Sequence, residues 1–140
     1  MSRKLCFVLL VVMMLTMLSA CGKPRKVPTI EMEEAQFELD SYCMTYPSVI
    51  DTEEKFFFDI NGDGADEICT SIIYGNRYTR TNIVVYDVFN KKYYTLGDEL
   101  SDFEIVGVEK NRLVVMQNYS TLGTIKFSKD GKLEFIADKV

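Results

Sequence analysis

From Lys55 to Ala137 the chain is a succession of short runs rich in Val, Ile, Tyr and Phe, each cut off within a few residues by Gly, Asn, Asp or Lys. Runs this short are poor helices, and β-branched and aromatic side chains suit the pleated surface of a sheet. They predict strands over Lys55–Ile60, Glu67–Tyr74, Thr81–Phe89, Tyr93–Leu96, Phe103–Val108, Leu113–Asn118, Thr124–Ser128 and Leu133–Ala137. Most links are of hairpin length. Asp130-Gly131 is the most explicit turn, because glycine supplies the positive φ that tight hairpins need; Lys110-Asn111 and Asn90-Lys91 are weaker versions. Gly75-Asn76 opens a longer loop. A parallel crossover needs roughly a dozen residues, so neighbours along this chain are antiparallel neighbours in space. The fold class that follows is mainly β: an antiparallel meander of about eight strands, as one small sheet assembly or two four-stranded units.

One short helix precedes the strands. Thr29 is a candidate N-cap, Glu31, Glu33 and Glu34 are acidic where a helix begins, and good helix formers follow, which predicts a helix over 31–41 that ends before Pro47. Ile125, Phe127, Leu133 and Phe135 alternate with polar residues, as in a sheet wet on one face. Phe56-Phe57-Phe58 and Ile83-Val84-Val85-Tyr86 do not alternate, so those strands are expected to bury both faces.

The first residues read differently. Met1-Ser-Arg-Lys is basic, Leu5–Met17 is an uncharged apolar run, and Leu18-Ser19-Ala20-Cys21 follows. The run falls short of the about 20 residues a permanent membrane span needs and fits a secretory signal. Leu-Ser-Ala-Cys resembles the lipobox of bacterial lipoproteins. That resemblance implies cleavage before Cys21 and fatty acylation (palmitate-type chains) on its thiol. The expected organisation is a signal peptide over 1–20, a lipidated tether over 21–30 and one β-rich domain over 31–140. Lys23, Arg25 and Lys26 in the tether would lie beside lipid headgroups. The expected location is the extracytoplasmic side of the cell membrane.

Composition excludes several chemistries. The chain has 16 basic and 21 acidic residues, a net charge of −5, and the first twenty residues carry bases but no acid. Such a surface repels phosphate backbones, so nucleic acid is not an expected partner. The absence of histidine removes the Ser-His and Cys-His nucleophile pairs and the usual zinc ligand. Cys43 and Cys69 are left in the domain, either paired as a disulfide in an oxidising compartment or separate as two buried thiols.

Asp59-Ile-Asn-Gly-Asp-Gly-Ala-Asp-Glu67 carries the most chemistry. Oxygen side chains recur at Asp59, Asn61, Asp63 and Glu67, and Gly62 and Gly64 let the backbone curl so that they converge. The Ala65 carbonyl can add a backbone ligand. Flexible coordination by oxygen suits calcium better than magnesium, which demands a stricter octahedron. The helix–loop–helix calcium hand needs a glutamate at the twelfth position, where this chain has Thr70. Between two strands the loop instead resembles the FG-GAP and VCBS repeats of integrin-type propellers. The resemblance covers Phe58 to Ile68, with the hairpin Thr81–Leu96 consistent with the rest of one blade. It implies side-chain ligands at Asp59, Asn61, Asp63 and Glu67, a carbonyl ligand at Ala65, and a solvent-facing Asp66. No second copy of the loop occurs between Phe103 and Val140, which argues against a closed propeller.

The reading favoured by these features is a membrane-anchored, calcium-braced module that binds a protein or glycan and is not an enzyme. The alternatives are a small inhibitor or immunity lipoprotein, or a hydrolase using two acids among Asp98, Glu99, Asp102 and Glu104. The lipobox makes a direct prediction. Cells fed a labelled fatty acid should incorporate it into the wild-type protein and not into Cys21→Ser, and label that persists in the variant would remove the anchor.

Overall fold

The computed structural model describes residues 29–75, 78–97 and 101–139. Cys21 with the signal and most of the tether, and Asp98 and Glu99 of the acidic run, lie outside the described residues. The domain is a helix followed by eight strands: α1 (Thr29–Met44), β1 (Val49–Phe58), β2 (Glu67–Tyr74), β3 (Arg80–Asp87), β4 (Lys92–Leu96), β5 (Phe103–Glu109), β6 (Arg112–Gln117), β7 (Thr121–Phe127) and β8 (Leu133–Ala137). They form two four-stranded sheets, β1-β2-β3-β4 and β5-β6-β7-β8, with every pairing antiparallel between consecutive strands. The expected meander is therefore the observed fold, in its two-unit form. No described helix is long and apolar enough to cross a membrane.

The alternation of side chains along β2 and β3 builds two cores from one sheet. One face presents Cys69, Ile83 and Val85 to Phe103, Ile105, Leu113, Val115, Ile125 and Leu133 of the second sheet. The other face presents Ile68, Ile72, Val84 and Tyr86 to Ala35, Leu39 and Cys43, which lie one helical turn apart along α1. The layers are thus helix, sheet, sheet. Ser71 Oγ accepts the N–H of Ile105 (2.9 Å), tying the sheets where β5 is irregular.

Several boundaries differ from expectation. α1 extends past both ends of 31–41 because the apolar stripe continues to Cys43; it stops where the Thr45 hydroxyl donates to the Tyr42 carbonyl (2.7 Å), just before Pro47. β1 begins at Val49 rather than Lys55, and its polar first half follows two irregularities in register. The Thr70 hydroxyl serves the Glu53 carbonyl there (2.9 Å). Ile83–Tyr86 are buried on both faces as expected, but Phe57 is 42% exposed because β1 is an edge strand that α1 only partly covers. Cys43 and Cys69 are free buried thiols. They belong to different cores on opposite faces of the first sheet, so the disulfide does not form.

β7 begins at Thr121 rather than Thr124 because the preceding turn is Asn118-Tyr119, both with positive φ (49° and 58°) and neither a glycine. Gly123 is consequently in mid-strand, where a Cβ would sit 2.3 Å from the Ile136 carbonyl and 2.7 Å from the Phe135 ring. Gly123→Ala should lower stability by about 1–3 kcal/mol through overpacking, measured by urea unfolding. An unchanged midpoint would show that the two strands can part there without cost.

Candidate metal centre

Phe56 and Phe58 pack into the inter-sheet core and fix the end of β1, and the Phe58–Glu67 register fixes the start of β2. Residues 59–66 must therefore close between two anchored strand ends. Glycine makes the curl feasible: Gly62 and Gly64 have φ of 76° and 89°, a region costly for side-chain-bearing residues. Asp59 organises the loop. Its Oδ1 accepts the N–H groups of Gly62 (2.7 Å) and Asp63 (3.2 Å), and its Oδ2 that of Gly64 (2.9 Å). Asn61 Oδ1 accepts the Asp63 N–H (2.8 Å), and Asp63 Oδ1 accepts the Ala65 N–H (2.9 Å).

This folding back brings one carboxylate oxygen each from Asp59, Asp63 and Glu67 within 4.8 Å of one another. Two oxygens bound to one calcium ion at about 2.4 Å each can be at most ~5 Å apart, so this spread fits a single hard cation. Asn61 joins the group through its side-chain amide, which donates to Glu67 Oε1 (2.6 Å). Ala65 is buried, and Asp66 is exposed, as the resemblance to the propeller loop implies for Asp66.

Glu67 is the unusual member. It is 2% exposed, with Oε2 taking the N–H of Ile60 (2.7 Å). Burial pushes its carboxyl up to about 7, and Asp87 and Asp59 push the same way, against the donors from Ile60 and Asn61. Asp87, 3% exposed, was not legible as part of this environment. It ends β3 and accepts from the Asn90 N–H (2.9 Å) and side-chain amide (2.7 Å), which shapes the β3–β4 turn. Its place in a turn was visible in sequence; its proximity to Glu67 depends on sheet register.

The other acidic run does not form a comparable site among the described residues. Asp102 spends both carboxylate oxygens on the first sheet: Oδ2 accepts from Arg80 (2.9 Å) and Oδ1 from the Thr81 N–H (3.0 Å). Its backbone exchanges hydrogen bonds with Asn118, so it splices the two sheets at the end opposite the acidic loop. Glu104 faces Glu53, whose carboxyl is raised chiefly by burial.

Fold and site together define a two-sheet antiparallel β domain with an acidic strand–loop–strand turn at one end. No protein-family model, curated protein or solved structure matches the chain.

Metal-free protein should reveal Glu67 through pH. Its folded pKa is raised, so the native state holds the proton that the unfolded chain loses from about 4.5 upward; stability is highest below that value and falls as pH rises towards about 7. In EGTA the unfolding free energy of wild type minus that of Glu67→Gln, from urea unfolding, should decrease by on the order of 3 kcal/mol from pH 5 to pH 8. A constant difference would mean that the carboxyl titrates normally.

Proposed function

We propose that the chain is a bacterial lipoprotein, tethered through Cys21 on the extracytoplasmic side of a membrane, whose β domain is braced by a calcium ion and serves as a binding module. The observation that carries the metal is the convergence of Asp59, Asp63 and Glu67 around a carboxyl buried to 2% exposure. Bringing three acids this close costs repulsion and desolvation, which a divalent cation offsets. Asp59, Asp63 and Glu67 supply charge, the Asn61 side chain and the Ala65 carbonyl complete the oxygen set, and Asp66 contributes field from the surface. The ion's role is structural: it locks residues 59–66 between two strand ends and adds its binding energy to folding. The anchor rests on the residues around Cys21, and the resemblance of the loop to a single propeller blade supports a module that binds a protein or glycan. The engagement of Asp102 with Arg80 and Thr81 supports a non-enzymatic role over a hydrolase.

Calcium at millimolar concentration should raise the melting temperature of wild type by a few degrees, matching a Kd of roughly 10⁻⁴–10⁻³ M. EGTA should reverse the gain, and Asp59→Asn/Asp63→Asn should abolish it. Superimposable wild-type melting curves with calcium and with EGTA would eliminate the site.

A further inference from the structure

Asn61 is the only asparagine in the chain that a glycine follows. Such a pair is chemically fragile, because a next residue without Cβ lets its backbone nitrogen approach the asparagine side chain closely. In that reaction the Gly62 nitrogen bonds to Cγ of Asn61, and the amide nitrogen departs with the Gly62 proton as ammonia. Water then opens the resulting cyclic imide across either of its two ring carbon–nitrogen bonds. One opening leaves aspartate at this position. The other leaves isoaspartate, whose main chain runs through the side-chain carbons. Asn61 and Gly62 are both exposed, so water reaches them.

The closed loop engages every group that this reaction must free. The Gly62 N–H donates to Asp59 Oδ1 (2.7 Å), which holds the nucleophile against a carboxylate. Asn61 Oδ1 accepts the Asp63 N–H (2.8 Å), and the Asn61 amide donates to Glu67 Oε1 (2.6 Å), so the side chain is pinned at both ends. Glu67 is in turn buried at the start of β2 and does not follow the side chain outward. Reaction therefore waits for the loop to open, and its rate follows the fraction of open loop. We propose that Asn61-Gly62 is a self-modification site, shielded in the closed loop and deamidated through its open form. Neither product closes in the same way. Both lack the amide hydrogens that Glu67 receives, and isoaspartate puts an extra carbon into the main chain between strand ends fixed by the Phe58–Glu67 register. A transient opening thus becomes a permanent change in the loop. The reaction needs neither calcium nor the lipid anchor.

Ageing the full chain in neutral detergent and EGTA at neutral pH tests this, with peptide mapping by mass spectrometry to follow loss of the Asn61 amide. Wild type unfolded in guanidinium chloride should lose the amide on the order of a hundredfold faster than native wild type, which is the shielding expected of several charge-assisted hydrogen bonds. Native Asp59→Ala, which removes the acceptor of the Gly62 N–H, should react roughly tenfold faster than native wild type. A cooperative guanidinium transition in that variant would assign the gain to the loop; if the variant does not fold, the two wild-type rates decide alone. Equal rates for native and unfolded wild type would overturn the proposal, and so would an Asn61 amide that survives unfolding. A folded Asp59→Ala that reacts no faster than wild type would overturn it as well.

Discussion

The β2–β3 hairpin is covered on both faces, and this double burial organises the rest of the molecule. Ile68, Ile72, Val84 and Tyr86 need the helix; Cys69, Ile83 and Val85 need the second sheet. Neither layer alone would keep these strands dry. Two polar residues within them are accordingly matched, Thr70 to a carbonyl of the irregular edge strand and Ser71 to a backbone N–H of the opposite sheet, whereas the buried Asn82 Oδ1 has no hydrogen-bond partner among the described residues. An unpaired hydroxyl at either place would carry the full cost of losing water.

The acidic loop inherits its geometry from that burial. Glu67 is at once the first residue of β2 and a member of the carboxylate group, so its position is set by the core rather than by the loop. Asp59 then gathers the curled backbone by accepting three N–H groups. A loop built this way has one acid held by the strand and another, Asp59, held by the backbone it gathers. At the far end, Asp102 performs the analogous task for the sheets, with Arg80 and Asn118 as its partners.

The fold was legible because its connections are short and its turns largely explicit. Asp130-Gly131 and Lys110-Asn111 lie where the sequence places them, and β2 and β8 have the expected bounds. What escaped reading had a physical disguise in each case. Asn118-Tyr119 turns the chain without glycine, so Gly123 passed for part of a link when it is a gap left for the Phe135 ring. The first half of β1 is polar and edge-exposed, and it carries no strand pattern. In the site, Asp59, Asn61, Asp63 and Glu67 were legible from local spacing. Asp87 and the Arg80–Asp102 pair were not, because they meet only through register and sheet packing.

Within each sheet, every strand after the first pairs with the one synthesised immediately before it. Such a chain has low contact order within each sheet, and no strand waits exposed for a partner made much later. Hairpins can close one after another as the chain is made, leaving the docking of α1 on the first sheet and the stacking of the two finished sheets as the long-range events. The order of the strands is thus also an order of assembly, as the chain is synthesised from its N-terminal end.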